Sequence, residues 1–299
     1  MSPAARPPVD VVVPFAGPPG ALRALVARLE SLVTRAGDTV VVADNAGTGV
    51  GGSASVRVVG AAQRRGSYHA RNTGAAAGSA PWVLFLDADV EPAHDLLDRY
   101  FEPAPDARTA VLAGAVVDEP PAAGARGPAA LRYAWLRSSM SQETTLGHDR
   151  WAFAQTANCA VRREAFAAIG GFAAEVRSGG DADLCFRLAA AGWRLESRPG
   201  AAVLHRNRVT VPRMLAQRAR HGAGAAWLAQ RHPGAFPARS LPGVAWWAAR
   251  RAAGGAGALL RGDRDGALVG LLDGPALLAF ELGRRLPNRR LLQPRRGRA

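Results

Sequence analysis

Lysine is missing from this chain: all 38 strongly basic side chains among its 299 residues are arginine. That absence excludes a phosphate-binding loop built on lysine and a lysine Schiff base for pyridoxal phosphate. Cysteine is scarce. Cys159 and Cys185 are the two present and show no metal-ligand spacing; they read as small buried apolar residues in a reducing compartment. Acid is also in short supply, 24 carboxylates against 38 arginines, for a net charge of +14. A field of that sign favours anionic partners such as nucleotides or anionic lipid. Part of it reflects an Ala/Gly/Pro/Arg-rich composition typical of GC-rich coding. The opening "MSPAARPPVDVVVPF" has too short an apolar run for a signal peptide, and Pro14 interrupts it, so a cytoplasmic protein is expected. Long apolar runs are lacking too. The best candidate, Gly266 to Phe280, falls short of the roughly 20 residues of a membrane span and contains Asp273 and Pro275.

What is present is alternation. Val/Leu-rich segments at Val9–Phe15, Thr39–Asp44, Ser55–Gly60, Trp82–Asp89 and Ala110–Asp118 read as strands. Helical patterns fall between them, at 19–37, 67–78 and 94–103. The predicted fold class is α/β, a mostly parallel nucleotide-binding sheet flanked by helices. Further on, Phe153–Phe172 reads as a strand and short helix stopped at Gly170-Gly171. Gly179–Trp193 reads as a helix with an acidic start, and Arg194–His205 as a strand. From Val211 the pattern changes to three arginine-edged helices and a basic tail, "RRLPNRRLLQPRRGRA", expected to be mobile. The expected division is 1–208, catalytic, and 209–299, a helical extension. No internal repeat is found.

Ligands of parallel sheets bind at the carboxyl ends of strands, and Asp44, Asp87 and Asp89 fall at such ends. In a strand, residues i and i+2 face one side, so Asp87 and Asp89 are expected to share one spot. Two like charges there repel unless a cation or donors separate them. A divalent metal site is one reading. A strand followed by an acidic helix start is the other. The G-x-G-x-x-G dinucleotide fingerprint is absent.

Six segments occur in an order that resembles the family 2 glycosyltransferases of GT-A fold. They are "VDVVVPF", "VVADNAGTG", "RRGSYHARNTGAAAG", "VLFLDADVEP", "NCAVRREAFAAIGGF" and "GGDADLCFRLAAAGW", covering roughly residues 9–205. The resemblance implies a metal-dependent, inverting sugar transfer. The donor would be a UDP-, GDP- or dTDP-linked sugar, the acceptor a hydroxyl and the cofactor Mg²⁺ or Mn²⁺.

The same resemblance implies residue roles. Asp44 would meet the base or ribose, with a turn role as the competing reading. Pro14, Arg71, Asn72 and Ala88 fall in the donor-binding segments; Arg71 and Asn72 could instead be a surface and a helix-shaping residue. Asp87 and Asp89 form the D-x-D motif, Asp89 on the metal and Asp87 on the ribose or metal shell. His205 would complete the metal shell or be structural. Asp181 would be the general base, or with Asp183 a helix cap. Asn158 and Asp183 would be acceptor-side or supporting residues. The family pattern Glu-Asp-x-Asp-Leu has lost its first acid here, to Gly180, which bears on acceptor positioning more than on the base.

The Gln-x-x-Arg-Trp motif of processive synthases is not evident, which favours a single-transfer enzyme. Trp246 and Trp247 beside Arg250 and Arg251 suit an anionic membrane surface and a lipid-linked acceptor; packing on the catalytic domain or a second subunit competes. A sugar nucleotidyltransferase, or a non-catalytic arginine-rich anion binder, are the rival functions. The arginines form no nucleic-acid motif, so no nucleic-acid partner is expected.

Overall fold

The computed structural model describes residues 6–121, 127–207 and 210–289; the tail expected to be mobile is packed over residues 284–289, where Asn288 is buried and bonded to the Ser178 backbone, and from residue 290 it lies outside the described residues. Strands β1 (Val9–Phe15), β2 (Thr39–Asp44), β3 (Val56–Gly60) and β4 (Trp82–Leu86) alternate with helices α1 (Pro19–Leu29) and α2 (Ser67–Ala76). The chain continues through β5 (Val90–Pro92), α3 (Leu96–Arg99), β6 (Thr109–Asp118), α4 (Ala129–Leu136) and α5 (Gln142–Leu146). It then forms β7 (Asn158–Arg162), α6 (Arg163–Ala168), α7 (Gly180–Ala190) and β8 (Arg194–His205).

These strands make one sheet in the order β3-β2-β1-β4-β7-β6-β8-β5. It is parallel from β3 to β4. Beyond β4 it is mixed: β7 runs against both β4 and β6, β8 is parallel to β6, and β5 is antiparallel to β8. Alternation along the strands serves both faces. Val11, Val13, Leu84 and Leu86 enter one core with Leu22, Leu25 and Leu29 of α1. Val12, Val83 and Phe85 enter the other with Phe166, Leu184 and Leu188. A sheet covered on both sides needs strands apolar throughout, which is why β1, β2 and β4 read as continuous hydrophobic runs.

Two boundaries differ from the sequence pattern. Helix α1 ends at Leu29, because Leu32 turns into the core and the Val33 N–H bonds the His94 carbonyl at 3.0 Å. Strand β4 ends at Leu86, and Asp87–Asp89 form a turn closed by Val90 N–H to Asp87 C=O at 3.3 Å. The i, i+2 argument therefore does not apply to the two acids.

Helices α8 (Val211–Arg231), α9 (Leu241–Leu260) and α10 (Arg264–Gly283) follow. Their glycines mark close crossings. A Cβ at Gly222 would lie 1.9 Å from the Phe280 carbonyl oxygen, and one at Gly270 would lie 2.6 Å from the Gly255 Cα. So α10 packs tightly on both α8 and α9. It also meets α4, where the Tyr133 hydroxyl donates to Asp273 at 3.0 Å. By length and composition α10 is long and apolar enough to cross a membrane, which corrects the shorter span expected from sequence. Its carboxylates nonetheless have protein partners: Asp273 is buried and bonded by Arg251 at 2.6 Å, Asp265 pairs with Arg132 and Glu281 with Arg284.

Candidate active site at the ends of β2, β4 and β8

Asp44 ends β2. Its carboxylate accepts from the Ala46 and Gly47 N–H groups at 3.0 Å, and from the Thr48 N–H and hydroxyl at 2.6 and 2.9 Å. Burial alone would raise this carboxyl; these donors outweigh it and hold it below the usual carboxylate range. The turn role is therefore the one its contacts show. Asn45, which sequence reasoning passed over, accepts from the Gly66 N–H at 2.8 Å and donates to the Ala61 and Arg64 carbonyls. It ties the β2 turn to the start of α2. Pro14 lies one pairing earlier, opposite Ala43 in β2.

Helix α2 delivers Arg71 and Asn72 in different directions. Arg71 is buried and its guanidinium bonds the Asp87 carboxylate. Asn72 forms a reciprocal pair with the Phe172 backbone, at 2.9 and 3.0 Å, and so staples α2 to the loop before α7. Ala88, between the two acids, has its carbonyl held by Arg28 at 2.6 Å. Arg28 gave no signal in the sequence beyond its place on α1.

Asp89 and His205 come together across β5 and β8. The Asp89 Oδ1 lies 3.6 Å from the His205 Nε2, and the Asp118 Oδ1 faces the other ring nitrogen, Nδ1, at 4.0 Å. His205 is buried and its Nδ1 has no hydrogen-bond partner. Asp118, missed by the sequence reading, is fixed behind the imidazole by the Asn207 amide at 2.6 Å and the Met140 N–H at 3.1 Å. At 4.0 Å Asp118 is a charged neighbour of the ring, one step short of the hydrogen bond by which carboxylates orient metal-binding imidazoles. Among the described residues no three His, Cys, Asp or Glu side chains converge as a complete cage. Carboxylate oxygen nevertheless suits Mg²⁺ or Mn²⁺, an imidazole nitrogen favours the softer Mn²⁺ of the two, and substrate phosphates and water commonly fill the remaining positions.

Asp181 sits in the first turn of α7 and stays partly exposed. Burial pushes its carboxyl up; the Arg71 charge pulls it down and Asp87 pushes it up again, with a net rise. The Tyr68 hydroxyl reaches its Oδ1 at 3.4 Å. Cys159 and Cys185 are buried and free, and the Cys185 thiol is pushed up to about 12 by burial.

Asp183 and Asn158 are both fully buried, and of the two roles expected for them, support is what their contacts show. Asp183 accepts from Arg187 at 2.8 Å, Arg231 at 2.7 Å and His232 at 2.9 Å, joining α7 to the end of α8. Asn158 accepts from the Tyr100 hydroxyl at 2.7 Å and donates to the Ala115 and Ala201 carbonyls at 2.9 and 2.7 Å. Both were singled out by the family resemblance of their segments; their burial fits a supporting place in the frame.

Two clefts lie beside the acids. One of about 620 Å³ runs between α1 and the Thr48–Gly52 loop. A second of about 260 Å³ lies between β6 and α4–α5, lined by Asp118, Trp135, Gln142 and Ser197 among others. Neither is lined by Asp87, Asp89 or Asp181, so chemistry and not cavity size marks the site.

The sequence profile of Glycosyl transferase family 2 matches residues 10–170, which hold β1 to β7 and both acids of the D-x-D turn. The chain belongs to glycosyl transferase family 2. It is 33% identical over 236 residues to the pre-mycofactocin glycosyltransferase of Mycobacterium tuberculosis, matching 75% of this chain and 48% of that protein. The chain thus spans about half the length of the curated relatives it matches. The fold is that of a Pyrobaculum calidifontis mannosyltransferase solved with GDP-Man and Mn²⁺: TM-score 0.58, 21% identity, covering 92% of this chain and 87% of that one. Glucosyl-3-phosphoglycerate synthase from Mycobacterium tuberculosis, solved with Mn²⁺, UDP and glucosyl-3-phosphoglycerate, gives a TM-score of 0.50 at 18% identity, over 75% and 80% of the two chains. The GT-A fold expected from the motifs is thereby established.

Proposed function

We propose that this family 2 glycosyltransferase moves one sugar from a nucleotide-diphosphate sugar to a hydroxyl acceptor, with inversion at the anomeric carbon. The observation that carries the reading is the pairing of Asp89 with His205 at 3.6 Å, with Asp118 behind the imidazole. Asp89 and His205 would hold Mg²⁺ or Mn²⁺, which when bound neutralises charge on the leaving diphosphate. Asp181 accepts the acceptor hydroxyl's proton as its oxygen bonds to the anomeric carbon; the bond from that carbon to the diphosphate breaks, and the nucleoside diphosphate leaves. A carboxyl raised by burial is better matched to this task near neutral pH than an ordinary one. Arg71 neutralises Asp87 and tempers Asp181.

Thermal shift with UDP-, GDP- and dTDP-sugars, with and without Mn²⁺, tests the donor. A metal-dependent rise with one nucleotide supports the reading. Release of pyrophosphate in place of nucleoside diphosphate would identify a nucleotidyltransferase instead. The name of the curated relatives makes pre-mycofactocin the first acceptor to try.

The acceptor side is proposed to face an anionic bilayer, on the inner surface of the cell membrane. Helix α9 contains no acidic residue. It leaves Trp246 62% and Leu260 90% exposed, fourteen positions apart and so on one side of the helix. Arg250 lies 4.9 Å from the Trp246 ring. An apolar stripe fringed only by arginine suits anionic lipid. The whole chain should sediment with phosphatidylglycerol vesicles and not with phosphatidylcholine vesicles, and Trp246→Glu/Leu260→Glu should abolish this. Retained binding by that variant, or a dimer that the variant splits, would overturn the proposal.

A further inference from the structure

Gly180 stands where the family pattern has its first acid, and the structure shows what fills the space. A Cβ at position 180 would lie 2.7 Å from the Tyr68 Cζ and 2.8 Å from both adjoining ring carbons. The ring covers the glycine face-on, so a side chain at 180 and the present Tyr68 position exclude each other. Tyr68 is buried and held on its other contacts, stacked on Phe172 at 5.4 Å and lying 5.5 Å from the Arg71 guanidinium. Its hydroxyl reaches the Oδ1 of Asp181 at 3.4 Å. The Ala182 N–H donates to the same oxygen at 3.1 Å.

From this geometry, and resting on the reading of Asp181 as the base, we infer that Tyr68 is a positioning residue for the Asp181 carboxylate, seated in the room opened by Gly180. Burial and the Asp181 charge keep the phenol protonated, so it donates at every working pH. Two donors on Oδ1 orient the carboxylate and leave Oδ2 as the oxygen presented to the acceptor. The acceptor proton passes to Oδ2, and the phenol keeps its own. Donation to the charged form also favours ionised Asp181. Arg71 acts in the same direction, while Asp87 and the buried thiols Cys159 and Cys185 surround the group without donating to it.

The test is Tyr68→Phe, which keeps the ring over Gly180 and the stack on Phe172 and removes only the hydroxyl. Nucleoside diphosphate release from the donor found by thermal shift, with acceptor or with water in its place, is followed against pH. The expected result is a kcat lowered about tenfold, an acid limb moved to higher pH, and a donor KM unchanged. As a readout without turnover, the variant's melting temperature should respond to pH differently from wild type. That difference should vanish in an Asp181→Asn background.

An unchanged limb and kcat, or a stability difference that persists without Asp181, would overturn the positioning role. Asp181→Asn read beside it separates the two ideas. If Asp181→Asn is inactive and Tyr68→Phe is unaffected, only the Tyr68 inference fails. If Asp181→Asn transfers sugar at the wild-type rate, the reading of the base fails and takes Tyr68 with it.

Discussion

The Arg71 guanidinium, buried on α2, bonds the Asp87 carboxylate in the turn after β4. The first acid of the D-x-D turn thus has a resident counter-charge, while the second, Asp89, faces His205. Two carboxylates expected to share one spot divide instead between an arginine and a histidine. Arg71 also lowers the neighbouring Asp181 carboxyl. One side chain therefore pairs with the D-x-D turn and tempers the carboxyl proposed as the base.

Asp181→Asn should lower transfer by about 10²–10⁴-fold while donor binding with Mn²⁺ survives. The same variant should be more stable than wild type at neutral pH. The sign follows from the raised carboxyl in the fold: its charged form is penalised only when folded, so the native chain is most favoured below the ordinary carboxylate range. That advantage is lost as pH rises through the folded value. Asparagine carries no such penalty, and melting curves at pH 4 and pH 8, about at and about four units above the ordinary aspartate midpoint, should diverge accordingly.

Arg71→Met should move the acid limb of kcat upward, because the charge that pulls the Asp181 carboxyl down is gone. It also leaves Asp87 without its partner, so donor affinity should fall. A pH–rate profile measured with donor KM at each pH separates the two effects. A limb that stays in place would remove Arg71 from the control of the base.

Asp89→Asn and His205→Gln should each weaken Mn²⁺-dependent donor binding by more than the about 10–100-fold that loss of an outer-shell partner costs, and leave metal-free binding alone. Asp118→Asn should give a smaller loss of the same kind, since Asp118 meets the metal site only through the imidazole. Isothermal titration of the nucleotide with and without Mn²⁺ reads all three. Equal losses in both conditions would point to general damage and not to metal.

Asp183→Ala should cost stability on the order of 3 kcal/mol. It strands Arg187, Arg231 and His232 around a carboxylate that is fully buried. Donor and acceptor KM of the folded fraction should not change. Denaturant unfolding beside initial-rate kinetics checks this, and a selective rise in acceptor KM would return Asp183 to the acceptor side.

Much was legible along the chain because it is local. Continuous Val/Leu runs mark strands buried on both faces, and β1, β2 and β4 followed. Turn chemistry put Asp44 and the D-x-D acids at strand ends, and the ordered motifs carried the family and the GT-A fold. Sequence also located Asp89 and His205 as partners 116 positions apart, by resemblance and not by spacing. What it could not decide was where each polar side chain spends its hydrogen bonds. Asp44 and Asn72 looked like donor-site groups, yet a turn and a backbone pair occupy them. Asp183 and Asp181 differ by two positions on one helix, and only packing sends the first inward to two arginines and a histidine and leaves the second beside Tyr68. Asp118, Arg28 and Tyr68 carried no local signal at all, because their roles arise from segments that meet only in the fold. Residue type and period determined the elements and the family. Burial, which depends on every segment at once, decided which acids hold the frame and which remain for chemistry.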